Sequence, residues 1–153
     1  MSTTTTTSGR AGTPAIADCT CFNLRKAARA VTQLYDEALR PSGLRATQFS
    51  LLSVIGALGT VSISALAEEA VMDRTTLTRN LNLLEQDGLV RIEPGEDARV
   101  REVSLTPVAH RKLAKARRFW RKAQAHMIHT LGSGRVRRLL GDLSNAVGAA
   151  QTA

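Results

Sequence analysis

At 153 residues the chain is about one domain long and can bury a real core. Apolar residues make up 43% but aromatics only 3%, so the interior must be Leu, Val, Ile and Ala, which suits packed helices better than a β-sandwich. A net charge of +8 and a pI near 10.7 point to a polyanionic partner, nucleic acid or an anionic membrane surface.

Residues 1–17 read as a disordered Thr/Ser-rich tail. The tail has no apolar h-region, so it is no signal peptide, and no stretch reaches the length of a membrane span. Cys19 and Cys21 are too few for a disulfide scaffold, which makes a reducing cytoplasm the expected home. Asp18 can cap a long helix ending at Leu39, with Phe22, Leu24, Ala28, Val31, Leu34 and Tyr35 among its apolar residues. Pro41, Ser42 and Gly43 stop it. A second helix, near residues 47–58, is apolar almost all round and belongs in the core.

Ser62 and Asp73 stand as N-caps of two short helices, over 63–70 and from 74 to about 86, and Gly88 ends the second. Strands are expected over 89–93 and 99–105, around the turn-forming Pro94-Gly95-Glu96-Asp97. Val90 and Ile92, then Val103 and Leu105, alternate with polar neighbours as a half-buried hairpin requires. Thr106-Pro107 starts a long basic helix running to about Thr130. A turn at 131–134 and a last helix to about Ala150 complete the chain, which shows no internal repeat.

The stretch VMDRTTLTRNLNLLEQDGLV, residues 71–90, carries the functional signal. On a wheel turning about 100° per residue, Leu77, Leu81 and Leu84 form a buried seam. Thr75, Arg79, Asn82 and Gln86 fall on the far side, with Thr76 and Thr78 at its flanks. Arg can grip guanine with two bonds, Asn or Gln can pair with adenine, and Thr offers a hydroxyl and a methyl. The start of the helix adds free amides and a positive dipole end for a phosphate. A short helix, a turn and a second helix with such a face make a helix-turn-helix, and the hairpin behind it makes a wing. At the wing tip, Arg99 or Arg101 can enter a narrow minor groove. Residues 73–106 nonetheless hold five arginines against seven carboxylates, so charge alone does not make the case. Glu93, Glu96 and Glu102 are expected to orient the wing arginines.

These residues resemble the MarR family of winged-helix transcription regulators from Thr20 to about Ala150. The resemblance rests on LAEEAVMDRTTLTRNLNLLEQDGLV followed by GEDARVREVSLTPVAH. It implies a mainly α fold with a small β-hairpin wing and a homodimer with interlocking terminal helices. The two lobes would then bind a pseudo-palindromic operator in double-stranded DNA. It divides the chain into a tail (1–17), an N-terminal dimerisation helix (18–45), a winged helix-turn-helix lobe (46–106) and C-terminal dimerisation helices (107–153). Arg74 is assigned to a phosphate, Thr75, Thr76, Thr78, Arg79 and Asn82 to the major groove, and Arg99, steadied by Asp97, to the minor groove with Arg101 beside it. Arg45 stands where many members have a capping Thr, which is expected to weaken one helix start.

CFNLRKAARAVTQLY, residues 21–35, resembles the first helix of the organic-hydroperoxide-sensing branch, OhrR. That likeness implies a Cys oxidised by a peroxide and a Tyr bonding it across the dimer, roles that fall on Cys21 and Tyr35. Ala46 replaces the second tyrosine of that branch, and no resolving cysteine lies toward the C-terminus. The bland alternative makes both cysteines small apolar fillers. Relatives place an effector pocket between dimer layer and DNA lobe, which makes Tyr35, Phe49 and Trp120 its expected lining. The expectation is a repressor released by a small-molecule ligand or by cysteine oxidation; a winged-helix protein–protein adaptor is the alternative.

Seven Lys and Arg between Arg111 and Lys122 read either as a solvated face or as a phosphate-attracting one, and a membrane-surface helix fits poorly inside a globular pattern. His126 and His129 share a helix face without a third ligand nearby, so no metal or other cofactor is expected. No nucleophile elbow, P-loop or paired carboxylates appear, so an enzyme is not expected.

Overall fold

The computed structural model describes residues 16–152. A 3-10 turn, Ile16–Asp18, leads into α1, Thr20–Leu39. Of the expected tail, residues 1–15 lie outside the described residues, while Ile16 and Ala17 belong to this turn. Asp18 does not cap α1. It lies within the turn, and Cys19 occupies the cap position without a side-chain bond. Asn23 ties turn to helix instead, its Nδ2 donating to the carbonyls of Ala17 at 2.6 Å and Cys19 at 3.0 Å.

After a 3-10 turn at Arg40–Ser42 comes α2, Ala46–Leu58. The weakness expected at Arg45 is repaired from elsewhere. Asp36 Oδ1, on α1, accepts from the Ala46 amide at 2.6 Å, and Gln48 Oε1 accepts from the Arg45 amide at 3.0 Å. Two orphan amides are thereby satisfied, one of them by a carboxylate from a neighbouring helix. Phe49, Leu51, Leu52 and Ile55 are buried as expected, but Leu58 is 46% exposed because it projects past the core at the end of the helix.

Next come β1 (Val61–Ser62), α3 (Ile63–Glu69), α4 (Arg74–Gln86), β2 (Val90–Pro94), β3 (Arg101–Leu105), α5 (Pro107–Leu131) and α6 (Ser133–Gln151). The sheet is not a hairpin alone. It has three antiparallel strands in the order β1-β3-β2, with Val61 opposite Val103 and Val90 opposite Leu105. β3 begins two residues later than expected because Arg99 and Val100 belong to the tip turn. Asp97 takes the Arg99 amide on Oδ1 at 3.0 Å and the Val100 amide on its carbonyl at 2.8 Å. Pro94 is tolerated since β2 is an edge strand.

The core joins α2, α3, α4 and the sheet, with Leu52, Ile55, Leu66, Leu77, Leu81 and Val103 all fully buried. One residue locks its corner. Thr106 Oγ1 accepts from the Ala109 amide at 3.2 Å, capping α5, and donates to the Gly88 carbonyl at 2.7 Å, while its amide donates to Leu89 at 3.1 Å. The start of α5 is thereby joined to the end of α4 and the base of the wing. α6, by contrast, buries nothing, and Leu139, Leu140 and Val147 on it are exposed. With Leu24 and Val31 of α1 and Met127 of α5, Leu139 and Leu140 edge an apolar cavity of about 410 Å³.

α3 and α4 end with the same double hydrogen bond. Met72 donates to Ala67 at 2.9 Å and Val71 to Glu68 at 3.1 Å; Leu89 donates to Leu84 at 2.8 Å and Gly88 to Glu85 at 2.9 Å. Each ending forces one residue into the left-handed region, Gly88 at φ +68 and Val71 at φ +50. Glycine tolerates this; for a side-chain-bearing residue it costs roughly 1–2 kcal/mol. Val71 is 57% exposed, so its side chain contributes little packing in return. Val71→Gly is therefore expected to stabilise the protein by about 0.5–1 kcal/mol, after allowing for the chain entropy of glycine. Urea unfolding should show a higher midpoint; a lower one would mean that this turn is not strained.

Candidate nucleic-acid interface

Two caps set the helix-turn-helix. Ser62 Oγ accepts from the Ala65 amide at 3.1 Å to start α3, and Asp73 Oδ1 accepts from the Thr76 amide at 2.8 Å to start α4. The rotation of α4 follows from its leucines, since Leu77 and Leu81 are fully buried and Leu84 nearly so. Thr75, Thr78, Arg79 and Asn82 are consequently turned outward and exposed. With Arg74 they line one open groove of about 480 Å³. Five of the six residues expected on this helix to touch DNA thus share one surface.

Thr76 is the sixth, and it lies elsewhere. Its amide donates to Asp73 Oδ1, and with its hydroxyl close by it holds that carboxyl below its ordinary range. Asp73 therefore stays ionised at neutral pH and occupies part of the helix start that was expected to be free for a phosphate. Arg74, exposed at the first helical position, is left as the cationic group at that end.

At the wing tip the Arg99 side chain is 92% exposed. Asp97 Oδ1 accepts from the Arg99 amide at 3.0 Å and from its Nε at 3.3 Å, so the guanidinium is tethered close to its own backbone with its outer nitrogens free. Arg101 is exposed but bent back, its Nη2 donating to the Ile92 carbonyl at 3.3 Å. Neither Glu93, Glu96 nor Glu102 bonds Arg99 or Arg101, contrary to expectation. Glu93 lies 4.0 Å from Arg91, and Glu102 packs so closely under Gly95 that a Cβ there would come within 2.9 Å of it. Asp97 orients Arg99, and the Ile92 carbonyl holds Arg101.

One contributor was missed in the sequence. Glu85 Oε1 accepts from the Ile92 amide at 3.1 Å, binding the last turn of α4 to β2 and so fixing the wing against that helix. Nothing local marks it, because its partner lies on the next element.

The expected effector trio does not line one cavity. Phe49 and Trp120 stack on each other, ring centres 6.2 Å apart, because two flat apolar rings fill the seam between α2 and α5. Tyr35 edges the apolar cavity instead, and its hydroxyl donates to Gln124 Oε1 at 2.5 Å. Burial pushes the Tyr35 phenol up, so it remains a proton donor at neutral pH. Cys21 is exposed and Cys19 half-buried.

The MarR family model matches residues 42–99, from the approach to α2 as far as the wing arginine. The transcriptional regulator MosR of M. tuberculosis, solved in complex with DNA, is 45% identical over 87% of this chain and 98% of its own, with a TM-score of 0.77. The chain belongs to the MarR family. An uncharacterized HTH-type transcriptional regulator of Bacillus subtilis, YwoH, is 30% identical over 89 residues, which span 58% of this chain and 65% of YwoH. A cysteine-to-serine mutant of MarR from E. coli, complexed with operator DNA, shares the fold at 22% identity, covering 81% of this chain and 90% of that one with a TM-score of 0.75. The expected architecture of a MarR chain, a winged helix-turn-helix flanked by terminal helices, thus holds here, with β1 added to the wing sheet.

Proposed function

We propose that this protein is a cytoplasmic, homodimeric, sequence-specific DNA-binding regulator of transcription, acting as a repressor. The observation that carries this is the outward face of α4, where Thr75, Thr78, Arg79 and Asn82 line one groove while three leucines anchor the opposite face. An unassigned solvated face favours Glu and Lys; this one offers donors, acceptors and methyl groups suited to base edges. Support comes from MosR, a 45% identical regulator solved with DNA bound.

In this mechanism α4 enters the major groove, with Arg79 and Asn82 set for guanine and adenine and Arg74 for a phosphate. Arg99, tethered by Asp97, enters the adjacent minor groove. Arg101 joins it only by releasing the Ile92 carbonyl. Thr76 acts through the cap rather than on bases. The partner subunit covers the exposed apolar residues of α1 and α6 and sets two reading helices about 34 Å apart, one turn of duplex. A ligand or modification that favours a different spacing releases the operator.

Cys21 is the proposed oxidation site, an exposed thiol in the first turn of α1 with Arg25 a turn away. Its thiolate attacks the terminal peroxide oxygen of an organic hydroperoxide, the O–O bond breaks to give a sulfenic acid and an alkoxide, and the alkoxide takes a proton from water to leave as the alcohol. Cys21 and Tyr35 stand fourteen residues apart on one helix, about 21 Å along its axis. A bond between them must therefore join two protomers, and it requires Tyr35 to leave or share Gln124.

Titration of the DNA upstream of the protein's own coding region tests the contacts. Arg99→Ala is expected to lose about tenfold in affinity, and Arg79→Ala to flatten the preference for one base pair by roughly 1–3 kcal/mol. Both variants binding like the wild type would remove α4 and the wing from the interface. Treating the protein with an organic hydroperoxide should weaken binding in the wild type and leave Cys21→Ser unaffected; equal responses would exclude Cys21 as the sensor.

A further inference from the structure

Positive charge in this protein is not concentrated where bases are read. Residues 73–106 hold five arginines against seven carboxylates, whereas residues 107–151 hold ten Lys and Arg against the single carboxylate of Asp142. In α5 the imbalance is complete, with seven Lys or Arg and no Asp or Glu. On a helix turning about 100° per residue, Arg111, Lys115, Arg118 and Lys122 fall within about 60° of one another. All four are exposed, and the ion pairs among the described residues, Arg91–Glu93 and Arg99–Asp97, involve none of them. Leu113, Ala116 and Ala123 are buried on another face of the helix, so the cationic stripe points away from the core.

Like charges three and four residues apart destabilise a helix, and a face stabilised by solvent alone ordinarily mixes Glu among its Lys and Arg. Among the described residues no carboxylate pairs with these four, and only Arg118 has another partner, its guanidinium lying 4.5 Å over the Phe119 ring. A duplex can relieve the repulsion. From Arg111 to Lys122 the stripe runs about 16 Å, and over that length a duplex carries one negative charge per about 1.7 Å. A membrane surface fits less well, because a surface helix inserts an apolar face and the buried residues of α5 are already packed within the protein.

We infer that Arg111, Lys115, Arg118 and Lys122 form a second, sequence-independent surface for duplex DNA, gripping phosphates outside the operator. The inference rests on the proposed DNA-binding function but uses no residue of α4 or the wing. A dimer seated on its operator thereby holds a further DNA segment, and the charge that α4 and the wing lack is supplied from another face.

The test uses the full chain and the variant R111Q/K115Q/R118Q/K122Q. Each is saturated with a short duplex of its upstream DNA, then titrated with a labelled random-sequence duplex and, separately, with phosphatidylserine vesicles. Wild type is expected to capture the random duplex, and four phosphate contacts make that capture about 100-fold weaker at 200 mM than at 50 mM salt. The variant is expected to lose capture tenfold or more, to keep its sequence preference, and to melt no lower than wild type because repulsion has been removed. Lengthening the upstream duplex distinguishes the source of the phosphates. If flanking DNA occupies the stripe, length tightens binding in wild type only and suppresses capture of the separate duplex. Equal DNA binding by the two proteins in both formats overturns the inference, as does stripe-dependent binding to vesicles without stripe-dependent binding to DNA. Failure of the underlying function looks different, since wild type would then show no preference for upstream over random DNA.

Discussion

Everything the wing and the reading face do depends on how α4 is rotated, and three leucines decide that. Leu77, Leu81 and Leu84 are buried in the core cluster that also holds Leu66 of α3 and Leu52 and Ile55 of α2. Each such side chain is worth roughly 1.5–3 kcal/mol on burial. Turning the helix by one residue, about 100°, would expose part of this seam and in one direction drive Thr78 and Glu85 inward, where an unpaired carboxylate is costly. The outward set is thus specified by what is hidden, not by its own polarity. The helix ends add precision. Gly88 closes α4 without strain, whereas Val71 closes α3 in a conformation that its branched side chain resists. That strain sits in the turn setting the angle between the two helices, a place where a small backbone change redirects the whole reading face.

The wing is held in the same economical manner. Thr106 joins α5, the end of α4 and the base of β2, and Glu85 joins α4 to β2. These bonds make the helix and the sheet one body, so that Arg99 stands at a set distance from Arg79. What remains loose is the outermost apolar layer. α1 and α6 leave Phe22, Leu24, Leu140 and Val147 exposed, the apolar surface that the proposed dimer would cover. Reading, spacing and attraction are consequently carried by different elements, and a change in spacing can weaken operator binding without altering any base contact.

Elements with strong local signals were legible from residues alone. Ser62, Asp73 and Thr106 cap the helices they were expected to cap, and the seam of α4 follows from leucine spacing. What escaped depends on contacts distant in sequence. β1 is two residues long, too short to show alternation, and exists because β3 offers it a partner. Asp36 repairs the start of α2 from another helix, and Glu85 reaches the following strand. Thr76, expected among the base contacts, falls outside the surface that its neighbours share, its amide bonded to the Asp73 carboxylate. Phe49 and Trp120 were expected beside Tyr35 from where relatives place an effector pocket; here they stack on each other and do not line the cavity that Tyr35 edges.

The central claim is that two identical faces of α4, held by one dimer, lie along the bases of successive turns of DNA. Hydroxyl-radical footprinting on the DNA upstream of the coding region measures this most directly. Two protected patches related by a dyad, their centres about one helical turn of 10–10.5 base pairs apart, are predicted. A single patch, a spacing well away from a whole turn, or uniform protection without sequence preference would contradict it.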